Sequence, residues 1–156
     1  MRGKPAPKRN INPDARYHDG EVAKLMNYLM RGGKKTVAEK IVYRCFDIVK
    51  EKTKQDPRHM FNKALKQVSP ILEVRGRRVG GANYQIPYPV RPERRFALAC
   101  HWMIDAARAR KGHSMAEKLA AEVMDAARGE GAAMKKKMDV QRMAEANKAF
   151  AHFARF

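Results

Sequence analysis

The chain has 156 residues and carries 34 lysines and arginines against 16 aspartates and glutamates, which gives a formal net charge of +18. A compact domain with this imbalance repels itself, and it is tolerated mainly where a polyanion such as nucleic acid, an anionic membrane surface or an acidic protein neutralises it. Hydrophobic residues make up 44%, which is enough for the core of one domain. No apolar run approaches the roughly 20 residues of a membrane span and no signal-peptide pattern is present, so we expect a cytoplasmic protein without a membrane partner.

The first 16 residues predict an extended basic arm. Pro5, Pro7 and Pro13 break any helix, and Asp14 is the single acid of this stretch. A segment of this composition stays disordered until an anionic partner orders it. The cations of the arm that we expect to contact that partner are Arg2, Lys4, Lys8 and Arg9.

Six stretches of the chain predict amphipathic helices, because apolar residues recur in them at i, i+3, i+4 and i+7. The predicted helices cover about 20–30, 36–49, 57–68, 92–110, 115–127 and 132–149. A capping box, or a capping residue followed by proline, marks where a helix begins. The pairs that predict such starts are Thr36 with Glu39, Asp56 with Pro57, and Ser114 with Glu117.

Between the third and fourth helices the apolar period changes to the alternation of β-strands, as at Tyr84, Ile86 and Tyr88. We predict a β-hairpin with a long turn that contains Gly80-Gly81, and Pro87 restricts its second strand to a sheet edge. The predicted fold class is mainly α: a single bundle-like domain of about six helices at 17–150, with one protruding β-hairpin at about 71–78 and 83–90, an extended basic N-terminal arm at 1–16 and a C-terminal tail at 151–156.

The basic residues around this hairpin are arginines, and no lysine lies between Gln67 and Arg110. Arginine presents a planar fork that matches phosphate and can stack on bases, whereas lysine is a point charge. Side chains two apart on a strand share a face, and a helix N-terminus offers free N–H groups to anions. The hairpin and the start of the fourth helix therefore predict a nucleic-acid surface made of Arg75, Arg77, Arg78, Arg91, Arg94 and Arg95.

Three further basic clusters extend the predicted surface. Lys34 and Lys35 lie between the first two helices. Arg108, Arg110 and Lys111 end the fourth helix, where cations also relieve the helix dipole. The three lysines of the last cluster are at the wrong end of their helix for the dipole, so an anion outside the protein explains them better. The members of this cluster are Lys135, Lys136, Lys137 and Arg142.

The two tyrosines of the second predicted strand have two interpretations. Tyr84 and Tyr88 can stack on bases, but packing on the apolar face of the hairpin is favoured. Cys45 and Cys100 lie in apolar helical patterns and are predicted to be buried free thiols.

The sequence shows no constellation of an enzyme. Its five histidines are scattered without metal-ligand spacing, no phosphate-binding glycine motif of the P-loop type is present, and the sparse carboxylates form no pair suited to acid–base work. We therefore expect neither catalysis, nor a cofactor, nor a small-molecule substrate.

Over about 11–152 the sequence resembles the family of bacterial ribosomal small-subunit protein seven. The segment from Glu73 to Pro87 is similar to the family's hairpin signature. The resemblance also rests on an N-terminal signature and on the last helix. These are Gly33-Lys34-Lys35 followed by Ile41-Val42-Tyr43, and Lys135-Lys136-Lys137 followed by Arg142-Met143-Ala144-Glu145-Ala146-Asn147-Lys148. The departures are at the ends: residues 1–10 are less arginine-rich than is common, and 151–156 lack the usual tryptophan ending.

The resemblance implies a primary binder of 16S rRNA that helps nucleate assembly of the head of the small ribosomal subunit and recognises mainly RNA shape. It also implies a place near the exit-site tRNA and the mRNA exit channel, with small-subunit proteins nine and eleven as neighbours. By the same resemblance, the residues that face tRNA are Val79, Gly80, Gly81, Ala82 and Asn83 at the hairpin tip, and Lys135, Lys136, Lys137 and Arg142 in the last helix.

Two alternatives compete with this interpretation. A DNA-bending protein would insert the hairpin into the minor groove, which the glycines and flanking arginines suit. An RNA-processing enzyme would need a catalytic group, and none is recognisable in the sequence.

Overall fold

A computed structural model of the chain describes residue 3 and residues 10–155. This part is mainly helical, with one antiparallel β-hairpin between the third and fourth helices, so the predicted fold class is confirmed. The elements are α1 (Gly20–Leu29), α2 (Lys35–Thr53), α3 (Pro57–Val68), β1 (Leu72–Val79), β2 (Ala82–Pro89), α4 (Pro92–Ala109), α5 (Met115–Arg128), α6 (Ala132–Ala146) and a C-terminal 3₁₀ helix (Lys148–Arg155). The predicted contacts of Arg2, Lys4, Lys8 and Arg9 lie outside the described residues.

Two of the three predicted helix starts are confirmed. Asp56 accepts a hydrogen bond from the Arg58 N–H at 3.1 Å, and Ser114 accepts one from the Glu117 N–H at 3.5 Å. The capping box of Thr36 is wrong, because α2 already begins at Lys35 and Thr36 lies inside its first turn.

The chain divides into two compact units, residues 1–40 and residues 41–156, and the boundary falls within α2. In the first unit Asp14 ends the predicted arm with a turn, since its buried carboxylate accepts hydrogen bonds from the N–H groups of Arg16 (3.1 Å) and Tyr17 (2.9 Å). This turn lies at the end of the predicted arm. On α1 the predicted apolar stripe is buried.

In the second unit α3, α4 and α5 pack on one another, and α6 contacts all three. Phe46 and Phe61 lie at its centre, fully buried, with ring centroids 5.8 Å apart. Cys45 and Cys100 are buried free thiols, as predicted. Burial raises the pKa of the Cys45 thiol to about 12, so this group stays protonated and unreactive.

Both strands of the hairpin have the predicted length of eight residues but lie one residue closer to the turn, so the turn is shorter than predicted. The register runs from Leu72 opposite Pro89 to Val79 opposite Ala82, so only Gly80 and Gly81 remain for the turn. Both glycines have positive φ, 57° and 91°, as a tight two-residue turn between twisted strands requires. The body of the hairpin is packed, with β1 against α6 and β2 against the C-terminal 3₁₀ helix, whereas residues 80–83 are exposed.

The C-terminal residues predicted as a tail form a cover for the hairpin. The ring centroids of Phe150 and Phe153 lie 5.1 and 5.6 Å from that of Tyr84. The Arg77 guanidinium donates a hydrogen bond to the Phe153 carbonyl at 3.0 Å. Packing is therefore confirmed as the role of Tyr84, and the partner is supplied by the end of the chain.

Candidate nucleic-acid interface

One carboxylate joins the two groups of arginines that the sequence placed on the hairpin and at the start of α4. Glu73 lies on β1 and is only 8% exposed. It accepts hydrogen bonds from Nε of Arg75, on the same strand, and from Nε of Arg94, at 3.2 Å, on the first turn of α4. The Arg75 guanidinium also lies over the ring of Tyr88, in a cation–π contact with 5.6 Å between the guanidinium carbon and the ring centroid. Glu73 thus makes one surface out of two separate stretches of sequence.

The charge of Glu73 is stabilised by these two arginines. Burial alone would raise its pKa, but the hydrogen bonds from Arg94 and Arg75 and the positive charges of both guanidiniums outweigh burial and hold the pKa below its usual value. A carboxyl group whose pKa is lowered on folding contributes stability at neutral pH, and this stability is lost as pH falls through the folded-state pKa.

We expect Glu73→Gln to lower the free energy of unfolding at neutral pH by about 1 to 2 kcal/mol, because two charge-assisted hydrogen bonds are weakened but both guanidiniums are more than half exposed. The loss should shrink as pH falls through the lowered pKa of the native carboxylate, where this group becomes protonated. Urea unfolding at several pH values measures it. Glu51→Gln, which changes an exposed acid on α2, is the matched control, and an equal loss in both variants would contradict the role of Glu73.

The guanidiniums of two other predicted arginines each donate a hydrogen bond to a backbone carbonyl of the protein. Nε of Arg95 donates to the Val90 carbonyl at 2.9 Å, which ties the first turns of α4 to the end of the hairpin. Arg77 is held by the C-terminal 3₁₀ helix as described above. A guanidinium carries five N–H donors, so each of these side chains is oriented by the fold and keeps donors for a ligand.

A second set of predicted cations is exposed and makes no hydrogen bond or ion pair with the described part of the chain. These side chains can turn toward a phosphate without breaking any contact of the fold. They are Arg78 and Arg91 beside the hairpin, Lys135 and Lys136 on α6, Lys111 after α4, and Lys34, which belongs to the unit 1–40.

The cations at the C-terminal end of α4 are separate from the hairpin surface. Helical rise places Arg110 about 24 Å from Arg94 along the axis. The Arg110 guanidinium, 34% exposed, donates to the fully buried carboxylate of Glu122 at 2.6 Å from Nη2 and 3.0 Å from Nε, and also to Asp125. Arg108 pairs with Asp105 at 3.6 Å. The geometry therefore favours an internal, structural role for Arg110, whereas Lys111 is exposed.

The basic residues of α6 do not act as one group. Lys135 and Lys136 are exposed, but Lys137 is half-buried and donates to the Gln67 carbonyl at the end of α3. Burial also lowers the pKa of Lys137. Arg142, 81% exposed, pairs with Asp139 at 2.8 Å and remains accessible.

The hairpin tip offers a close approach to its backbone. Residues 80–83 are exposed, and the space beside Gly80 and Gly81, where a Cβ would stand, is open. A ligand can therefore contact main-chain groups at the turn.

Sequence reasoning missed an open cleft of about 850 Å³ along α2 and α5. Its cations alternate with acids and come from three parts of the chain, so no run of charge reveals them. The cations are Arg44, Lys52, Arg110, Lys111 and Lys118, and the acids are Asp47, Glu51 and Glu117. Glu73 and Glu122 were also missed as organising residues, because each is a single acid whose partners lie elsewhere in the sequence.

Within residue 3 and residues 10–155, no group of three or more histidines, cysteines or acids is arranged to hold a metal ion. None of the helices in this part combines the length and the apolar character that crossing a bilayer requires.

Comparison with known proteins agrees with the basic interface. The model of the family described as ribosomal protein S7p/S5e matches residues 1–148. The chain is 60% identical over 149 residues to the small ribosomal subunit protein uS7 of Carboxydothermus hydrogenoformans, with 96% of both chains covered. It is 56% identical over 153 residues to uS7 of Thermotoga neapolitana, covering 98% of this chain and 99% of the relative. Identity to uS7 of Magnetococcus marinus is 54% over 152 residues, with 97% of each chain covered. The chain therefore belongs to the S7p/S5e family of ribosomal proteins and is a structural component of the small ribosomal subunit.

Proposed function

We propose that the chain is a primary 16S rRNA-binding protein that helps nucleate assembly of the head of the small subunit. The observation that carries the proposal is the single basic surface that Glu73 creates by holding Arg75 of the hairpin and Arg94 of α4. Arg78 and Arg91 lie beside it with free guanidiniums. A surface shared by a hairpin and a helix suits a junction of RNA helices better than one straight duplex.

The arginines that the fold already orients are suited to bind RNA by shape. A guanidinium held by Glu73, by a carbonyl or by a tyrosine ring loses less conformational freedom when it meets a phosphate than a free side chain does. Contacts to phosphates fix position and register, and rigid spacing between them selects an RNA of matching shape. This division of labour gives Arg75 and Arg94 the positioning role and Arg78 and Arg91 the adaptable contacts.

The same proposal places the chain near the exit-site tRNA and the mRNA exit channel, with small-subunit proteins nine and eleven as neighbours. The exposed turn at residues 80–83 and the free ammonium groups of Lys135 and Lys136 support a tRNA-facing role for these two regions. Lys137 contributes less, because its ammonium group is bound to the Gln67 carbonyl.

The double substitution Arg78→Ala, Arg91→Ala tests rRNA binding without touching internal contacts. We expect it to weaken affinity for a multi-helix junction of 16S rRNA by on the order of tenfold to a hundredfold, because two charge-assisted contacts are lost. Filter binding or fluorescence anisotropy measures the affinity, and circular dichroism should show unchanged helicity. Replacing Arg75 and Arg77 as well would also remove contacts of the fold, so the pair is the cleaner test.

Lys50→Ala, Lys52→Ala removes the same charge from the exposed end of α2 and serves as the matched control. The control should bind nearly as well as the unaltered chain. Equal losses in the two variants would mean that only net charge matters. Unchanged binding of the Arg78, Arg91 variant would count against an rRNA surface at the hairpin.

A further inference from the structure

We propose that Glu122 is a positioning residue for Lys135 and Lys136: a buried carboxylate of α5 that caps α6 and fixes the direction in which these two lysines leave the helix. The inference rests on the proposed tRNA-facing role of α6. It concerns a side chain that is fully buried and cannot itself touch RNA.

Glu122 connects three elements through its two oxygens. Oε2 accepts from the Arg110 guanidinium, which follows α4. Oε1 accepts from the backbone N–H of Ala133, in the first turn of α6, at 2.9 Å. The start of α6 is thereby fixed to the end of α4 through one residue of α5.

The capping function of Glu122 replaces one that α6 lacks. The residue before α6 is Gly131, which has no side chain to bind the free N–H groups of the first turn. A side chain cannot be added there, because φ is +94° and a Cβ would stand 2.9 Å from Oε1 of Glu122. A serine or aspartate normally caps a helix from this position. Here the carboxylate of Glu122, on another helix, accepts the hydrogen bond instead.

The lysines make this cap more important. α6 has no acid in its first turn, while Lys135 and Lys136 bring positive charge toward the positive end of the helix dipole. An acceptor at the N-terminus offsets part of this unfavourable charge, and Oε1 of Glu122 supplies one to the Ala133 N–H. Without it we expect the first turn of α6 to fray, and the lysines would lose their fixed direction.

A double-mutant cycle tests the link in ribosomes whose small subunits are reconstituted with the variant proteins. Binding of deacylated tRNA to the exit site is measured for four proteins: the unaltered chain, Glu122→Ala, Lys135→Ala with Lys136→Ala, and the triple variant. We expect the lysine pair to weaken binding on the order of tenfold and Glu122→Ala on the order of threefold. In the triple variant Glu122→Ala should have no further effect, which loss of stability alone would not produce.

A second readout and a substitute variant keep the test decisive. Hydrogen exchange at the amides of residues 133–136 should accelerate in Glu122→Ala and not in Glu130→Ala, which removes an exposed acid just before α6. If Glu122→Ala fails to assemble, Glu122→Gln replaces it, because an amide has one acceptor oxygen and can serve Arg110 or Ala133 but not both. If Glu122→Ala still weakens tRNA binding in the triple variant, the inference about Glu122 is wrong, but the tRNA-facing role of α6 stands. An unaffected lysine variant overturns the tRNA-facing role and the inference with it.

Discussion

Raising the salt concentration from about 50 to about 200 mM should weaken the complex with a 16S rRNA junction by roughly three to five orders of magnitude, the loss that six to ten phosphate contacts produce on the duplex-DNA scale. Each contact releases counterions from the RNA, and dilution of these ions drives binding at low salt. The arginines available for these contacts are Arg75, Arg77, Arg78, Arg91, Arg94 and Arg95. Single-stranded contacts would give a shallower dependence.

The slope of the logarithm of affinity against the logarithm of salt concentration is the quantity to measure. In the Arg78→Ala, Arg91→Ala variant the slope should fall by about two, one for each lost phosphate contact. Duplex DNA of the same length should bind less tightly at every salt concentration. Equal affinity for the two nucleic acids would favour the DNA-bending alternative, and a flat salt dependence would contradict phosphate binding altogether.

The second large effect concerns stability. Arg110→Ala should lower the free energy of unfolding by about 3 kcal/mol, because it leaves the carboxylate of Glu122 buried without its cation. This value is the lower end of the range for breaking a buried ion pair, since Arg110 is itself one-third exposed and partly screened. Urea unfolding followed by circular dichroism gives the number directly.

Lys111→Ala, which removes an exposed cation next in sequence, is the matched control and should change stability by less than about 0.5 kcal/mol. Arg110→Lys should recover only part of the loss, because an ammonium group cannot make the forked contact to Glu122 and Asp125. A small change in stability together with a large loss of rRNA affinity would contradict the internal role of Arg110 and support the rRNA contact predicted from the sequence.

Local signals in the sequence predicted most of the elements. The starts of α3 and α5 were correct because Asp56 and Ser114 bind N–H groups two and three residues away. The Thr36–Glu39 pair shows the limit of such signals. A hydroxyl residue followed three places later by an acid also occurs inside a helix, and here Glu39 pairs with Lys35 at 3.8 Å instead.

The sequence predicted which residue types form the interface, but not which atoms of the protein those residues contact. Charge and glycine content located the hairpin surface, but the roles of Arg94, Arg110 and Lys137 depend on atoms from other elements. The lysines at the start of α6 illustrate the physical reason. An anion outside the protein was predicted for them and stays a prediction, but nothing in their sequence indicated that Glu122, on the preceding helix, binds the Ala133 N–H in the same turn. Long-range pairs of this kind exist only once the helices have packed.

The cover over the hairpin also has a consequence for how the chain is made. Arg77 and the Phe153 carbonyl are 76 residues apart in sequence, and the rings that shield Tyr84 belong to Phe150 and Phe153, which also lie far from it along the chain. Helices built from local contacts form early, whereas contacts between distant residues form late. During synthesis the aromatic side of the hairpin is therefore closed only after the C-terminal 3₁₀ helix, Lys148–Arg155, has been made.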